Sequence, residues 1–409
     1  MNTLNKLGPG IMFAAMAIGI SHLVQSTRAG ADYGLVLAPV IVFACILKYP
    51  LFRFAANYGA ITGNSLFEAY RQEGEFAVII LVLSAAIDLI ISTAAVTLVT
   101  AGLIKFLLQT QASVAVIGII VLIVMGIMLA TSRYKLIERG TVILVFVFVG
   151  LVLIAFGTVA PLAVERADQL LPTLEFSEGL ILFIIAMMGW MPNPPSGSFV
   201  VSAWAATRKT LSPDQHNDED GIFDLNVGYW ITIIMALAFV VLGAALLFGR
   251  SDDIAGSPVA FAGNFIRLFS ETIGPAITPL ISLAAVALMI STLIGLMDGV
   301  PRLLQQALAR EASNWVRQII IAIQIVGAGL LLVLFQSSFR MLIDFATSVG
   351  FVLAPLIAYY NYRAMVCEAI PAAARPAPYL IWWNWVSIIL FAITGVLFIG
   401  LQNGWMTFS

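Results

Sequence analysis

Charge is what this sequence has least of. Only 10% of its 409 residues are Asp, Glu, Lys or Arg, against roughly 25% in a soluble domain. A chain so poor in charge, and 61% hydrophobic, cannot cover its surface with polar groups in water. The surplus apolar surface must face lipid. Net charge is −2 and no basic stripe exists, which excludes a nucleic-acid partner. Two cysteines are present, Cys45 and Cys367. They lie in apolar surroundings without CxxC or Cys/His spacing, so they read as buried thiols, not as a disulfide framework or zinc site. No GxxxxGK[ST] loop appears, which argues against ATP-driven pumping. No nucleophile–base or metal constellation of an enzyme appears either, so the chain does not read as an enzyme. The loops are too short for a soluble domain. The first apolar run, starting near Ile11, is followed by many more and reads as a retained helix, not a cleaved signal.

What the sequence does have is apolar runs. Crossing the hydrocarbon core takes about 20 helical residues. Runs bounded by charges, Pro or Gly fall at 10–27, 34–58, 77–108, 112–131, 140–163, 179–206, 222–249, 275–308, 316–336, 341–362 and 378–402. This predicts an all-α integral membrane protein with about eleven spans in one domain, 1–409, with the lipid bilayer as its partner. Lys and Arg concentrate in alternate loops, among them Lys6, Arg53, Arg133, Lys135, Arg139, Arg208, Lys209 and Arg317. Positive charge favours the cytoplasm. The expected placement is the plasma (inner) membrane, N-terminus cytoplasmic and C-terminus outside. The stretch from Gln215 to Asp224 holds His216, Asn217 and several carboxylates, but lacks the alternating ligand spacing of a calcium loop. It reads as a solvated cytoplasmic loop. Trp382, Trp383 and Trp385 read as an interfacial belt.

Two spans are chemically odd. The first carries Gly19-Ile20-Ser21-His22 near its middle. The sixth carries Gly189-Trp190-Met191-Pro192-Asn193-Pro194-Pro195-Ser196-Gly197. A proline inside a helix removes a backbone hydrogen bond and clashes with the preceding turn, so Pro192, Pro194 and Pro195 together predict a broken helix. In lipid each freed backbone group costs several kcal/mol unless it is buried in protein or lines a wet cavity. The break must therefore face inward. Interruptions in spans one and six, five helices apart, are the signature of two inverted repeats with a substrate site at the midplane between the breaks.

These residues also carry a resemblance. Leu7-Gly8-Pro9-Gly10, with a span ending Arg28-Ala29-Gly30-Ala31-Asp32-Tyr33-Gly34, resembles the first helix of the Nramp divalent-metal transporters. Met191-Pro192-Asn193 stands where that family has Met-Pro-His. Asp88-Leu89 resembles its Thr-Asp-Leu-Ala-Glu segment, and Ser291-Thr292 with Gly295 and Gly299 resembles its eighth helix. The resemblance implies a LeuT-type fold of 5+5 inverted repeats, with repeat one at about 10–163, repeat two at about 179–362 and an extra helix at about 378–402. It implies alternating access and proton-coupled movement of a divalent metal. It also implies a metal site between the two breaks. The family's metal-binding Asp falls on Gly19 and its Asn on His22, with Ser21 between. Its metal-binding Met falls on Met191, the Ala that offers a carbonyl on Met188, and the His of helix six on Asn193. The partner Glu after Asp88-Leu89 is Ile91.

The departures leave a site without its aspartate: an imidazole, a thioether, an amide and unwound carbonyls. That set suits a softer transition metal better than magnesium. It also suits a polar organic solute. His22, an ionisable group inside a span, reads as a ligand or proton relay, or else as a histidine hydrogen-bonded to backbone. Asp88 reads as part of a proton pathway, or as a partner for a cytoplasmic arginine. Asp298 and Asp344, near span ends, read as solvated or gate-associated. No resident cofactor is expected; the metal ion is cargo and the proton its coupling ion. Three functions remain at this level: a divalent-metal transporter, a transporter of a small organic solute with the metal site lost, and a sensor or channel on the same fold.

Overall fold

A computed structural model describes residues 9–130, 134–211, 218–250, 256–308, 314–335 and 337–406. His216 and Asn217 of the acidic loop, and Leu7 and Gly8 of the first motif, lie outside the described residues. The described chain is almost entirely helical. Eight helices are long and apolar enough to cross a bilayer: Ala38–Thr62, Glu75–Leu108, Ile143–Glu165, Gly221–Leu247, Pro275–Leu308, Asn314–Phe335, Phe339–Val366 and Pro378–Gln402. Val114–Ala130 is shorter but apolar throughout. The first and sixth spans each cross in two pieces, Pro9–Ala17 with 21–33, and Glu178–Trp190 with Gly197–Leu211. This is the predicted layout of about eleven crossings.

The structure departs from the expected boundaries at several points. The first span runs on to Tyr33, because Arg28 is buried inside the protein instead of marking a water-exposed end. The stretch from Arg250 to Glu271, expected as a plain break between spans, contains the helix Pro258–Thr272. It is amphipathic and packs Phe261, Phe265 and Phe269 into the core, where Phe265 stacks on Phe148 and meets Phe239, Phe269 meets Phe148, and Phe261 meets Phe339. A shorter amphipathic helix, Leu66–Glu73, lies in the equivalent place between the second and third spans. The tenth span is itself interrupted between Val349 and Ala354.

The first span is held against the seventh by close backbone contact at both ends. A Cβ added to Gly10 or Gly228 would run into the facing chain, Asp224 and Gly10 respectively. The same is true of Gly30 against Val240 and of Gly243 against Thr27. Small residues let helices in lipid approach this closely, where dispersion between backbones replaces the hydrophobic effect. The break of the first span is thereby fixed over the middle of the seventh.

Candidate functional site

The first span is α-helical over Pro9–Ala17, opens at Ile18 and Gly19, and resumes as a π-helical turn over Ser21–Ser26. The amides of His22 and Leu23 both donate to the Gly19 carbonyl, at 3.1 and 2.9 Å. The His22 ring is fully buried. Its Nε2 lies 3.0 Å from the Thr232 carbonyl oxygen on the seventh span and its Nδ1 lies 2.9 Å from Ser21 Oγ. A carbonyl can only accept, so Nε2 carries the proton and Nδ1 is the acceptor. The imidazole thus ties the opening of span one to span seven.

The sixth span ends its first half at Trp190 and restarts at Gly197. Between them the chain is non-helical, and the amides of Gly197, Ser198 and Phe199 start the second half by donating to Pro194, Pro195 and Ser196. The last carbonyls of the first half have no partners within that helix. One of them, Gly189 O, accepts from Lys48 Nζ at 2.6 Å, and Asn193 O in the break accepts from the same atom at 3.1 Å. Lys48 belongs to the second span and is fully buried.

Between these breaks and spans three and eight lies a cavity of about 50 Å³. A water needs about 10–15 Å³ by this measure, so the space fits an ion with part of its hydration shell. Gly19 and Ser21 face it from span one, Asp88 and Ser92 from span three, and Asn193 and Thr292 from spans six and eight. Two further π-helical turns border it, Asp88–Ser92 and Gly295–Gly299. Such turns interrupt α-helices mostly at functional sites. In two of the three turns a hydroxyl five residues on also reaches the carbonyl of the turn's first residue, Ser26 to Ser21 at 3.1 Å and Thr93 to Asp88 at 3.3 Å. Gln324 of the ninth span links turns three and eight, its Nε2 reaching Thr93 Oγ1 at 2.8 Å and Leu296 O at 3.3 Å. Asp88 is buried, and its Oδ1 accepts from Ser92 Oγ at 2.8 Å. Trp190 Nε1 and Asn193 Nδ2 are buried without a protein partner.

Charged clusters stand near the two ends of the first span. At one end Arg28 Nη1 meets Asp344 Oδ1 at 2.6 Å, Gln25 Nε2 reaches the same carboxylate at 3.0 Å, and the guanidinium lies 4.8 Å from the Phe183 ring centre. These residues join spans one, six and ten. At the other end Asp224 accepts from the Gly10 amide at 2.8 Å and pairs with Arg208 at 3.1 Å, which joins spans one, six and seven. Asp298, at the foot of span eight, pairs with Arg302 and Arg317.

Of the residues singled out in the sequence, Gly19, Ser21, Asp88, Asn193 and Pro194 line the cavity. His22, Met188, Met191, Pro192 and Pro195 do not; the two methionines pack in the apolar core. Among the described residues no three His, Cys, Asp or Glu side chains converge as a ready metal cage. Thr292 and Gly295, named only for their likeness to the family's eighth helix, also line the cavity; sequence reasoning passed over Lys48, Met16 and Ser92. Only Lys48 carried a signal, a charge inside an apolar run.

Known proteins resemble this chain over nearly its whole length. The family model described as natural resistance-associated macrophage protein-like, Nramp, matches residues 10–401. An uncharacterized protein of Pasteurella multocida is 30% identical, over 98% of this chain and 93% of that one. A divalent metal cation transporter MntH of Lacticaseibacillus casei is 22% identical over 96% of this chain and 87% of its own. Among solved structures, a manganese transporter of Eremococcus coleocola superposes with a TM-score of 0.76 at 15% identity, covering 97% of this chain and 86% of that chain.

Proposed function

The chain belongs to the Nramp family, and from that membership we propose that it is a secondary transporter moving a divalent metal ion across the membrane by alternating access, coupled to protons. The observation that carries the reading is the cavity: it sits between two broken spans and holds the carboxylate of Asp88, with charged clusters near the two ends of span one. The relatives named for metal transport support the choice of cargo. In this reading residues 10–163 and 179–362 are the two repeats that rock against each other, and 378–402 stands outside them. The N-terminus is cytoplasmic, so the Arg28–Asp344 cluster closes the outer side and the Gly10–Asp224–Arg208 cluster the inner side. The membrane is the plasma membrane.

The ion contacts are Ser21 Oγ, the Asp88 carboxylate and the Asn193 amide, with the backbone at Gly19 opened to approach. Asp88 also carries the coupling proton. His22 holds the first break in place, and Met188 and Met191 come within reach only when the sixth-span break rearranges. No chemical step is involved. Cargo shifts the populations of inward- and outward-open states because it binds them unequally.

A second reading is favoured by one observation. Trp190 Nε1 and Asn193 Nδ2 point N–H donors at the site without partners, and a bare cation cannot satisfy a donor. A small organic solute with acceptor oxygens could. The deciding experiment is uptake of manganese, cadmium and magnesium into proteoliposomes, beside Asp88→Asn and Asn193→Ala. Saturable uptake of one ion that falls at least tenfold in both variants is the expected result. No uptake of any ion by folded protein would turn the assignment to organic solutes.

A further inference from the structure

We infer that the break of the sixth span contains a monovalent-cation site whose occupant is the chain's own Lys48 ammonium. The argument rests on the fold and does not depend on the identity of the cargo. A half-helix that ends in mid-membrane points its last carbonyls, and the negative end of its dipole, into the protein. In transporters with broken helices such ends coordinate free cations. Here the Gly189 and Asn193 carbonyls are both taken by Lys48 Nζ, at 2.6 and 3.1 Å. The Phe351 ring supplies a third face, with its centroid 5.4 Å from the nitrogen. An ammonium has three N–H donors and no acceptor. Two carbonyls and one aromatic face are the partners it needs, and cation–π attraction is strongest at a dry site such as this.

The placement joins three elements. Lys48 comes from span two, its carbonyls from the break of span six, and Phe351 from the interruption of span ten. Gly189 is pressed against the tenth span so closely that a Cβ there would enter the Thr347 carbonyl. The tethered cation therefore neutralises the end of the first half-helix and links it to spans two and ten. Two consequences follow. The break is held without a second, diffusible cation. The carbonyls of Gly189 and Asn193 are closed to cargo, which leaves the other side of the break, at Asp88 and the Asn193 side chain, to bind it.

The test is chemical rescue. Thermal unfolding of purified wild type, Lys48→Ala and Lys48→Met is followed in methylammonium, potassium or sodium chloride, with choline chloride as the ionic-strength control. Wild type is expected to unfold at the same temperature in all four. Lys48→Ala should lose on the order of 5 °C and recover most of it, saturably, in methylammonium or an alkali cation but not in choline. Lys48→Met fills the space with apolar atoms and should not recover. If neither variant accumulates folded, both are purified in methylammonium; recovery of the Ala variant alone supports the site. Wild-type stability of Lys48→Met would overturn the inference, as would a folded Lys48→Ala that ignores every small cation, or equal failure of both variants in methylammonium. Because unfolding requires no cargo, each of these outcomes leaves the metal-transport reading to be judged separately.

Discussion

The two broken spans solve one problem in opposite directions. In the first, the opening is short and its own side chain reaches outward: His22 leaves the break and donates to Thr232 on the seventh span. In the sixth, the opening runs from Met191 to Ser196, and a side chain from elsewhere reaches in: Lys48 donates to the carbonyls of Gly189 and Asn193. The freed groups explain the difference. Span one turns its bend back on itself, with two amides sharing the Gly19 carbonyl, so a neutral ring suffices to hold it. Span six contains three prolines that cannot donate, and its carbonyls outnumber its amides. Carbonyl excess calls for a cation, and the chain supplies one. A break dominated by proline is thus anchored by charge, and a break dominated by glycine by a neutral hydrogen bond.

The comparison can be broken most severely at the contact that holds the first span against the seventh. Gly228→Leu would drive a side chain into the Gly10 carbonyl. Overpacking costs 1–3 kcal/mol in adaptable cores and occasionally more; against backbone, the expected outcome is loss of monodisperse protein in fluorescence-detected gel filtration. Next is His22→Ala, which removes the tie to the Thr232 carbonyl and leaves a void. It should lower stability by about 3 kcal/mol, read as an earlier thermal unfolding, while the manganese KM moves less than in Asp88→Asn. A KM change larger than that of Asp88→Asn would make His22 a ligand and erase the distinction between the breaks.

Smaller is Asp344→Asn, which removes the charge that faces Arg28. Hydrogen bonds to charged groups contribute about 2 kcal/mol, so the equilibrium should shift roughly 30-fold toward the state open at the Arg28 end. Thiol labelling of a cysteine placed at Gln25 reads this directly, since Cys45 is buried and Cys367 lies near the opposite end. Smallest is Gly19→Asp. A new carboxylate there meets Thr292 Oγ1, 3.2 Å from the added Cβ, which must yield slightly. Additional ligand charge tightens divalent binding, and manganese KM should fall about tenfold, a difference of 1.4 kcal/mol.

The crossings and both breaks were legible in the sequence, because apolar runs and clustered prolines act locally. The break at Gly19 was placed correctly from spacing. The side of each helix that faces the cavity was not legible. Met188, on the helix Glu178–Trp190, and Met191, just past its end, belong to the motif yet pack into the apolar core, and the motif alone does not say which way either side chain turns. Lys48 was missed for a different reason: it stands as a charge inside the run 34–58, but its acceptors lie more than a hundred residues away in the sequence. The helix Pro258–Thr272 was overlooked because a surface helix shows mixed polarity, which resembles a loop when runs are counted. Nothing in Asp88–Ser92 marks a π turn; its composition is that of any apolar helix.

Those wide turns have a consequence for how the protein tolerates change. A π turn holds one residue more than the α-helix around it. In an α-helix each residue turns the chain by about 100°. Deleting a single residue such as Ile91 would let span three close into an unbroken α-helix with every hydrogen bond made. The deletion would nonetheless swing Ser92, Thr93 and the whole C-terminal half of the span about 100° away from Asp88, Gln324 and the cavity. Such a protein should insert and fold and carry nothing. In these spans the extra residue serves as a washer that sets where the helix points, and its removal separates being folded from being able to transport.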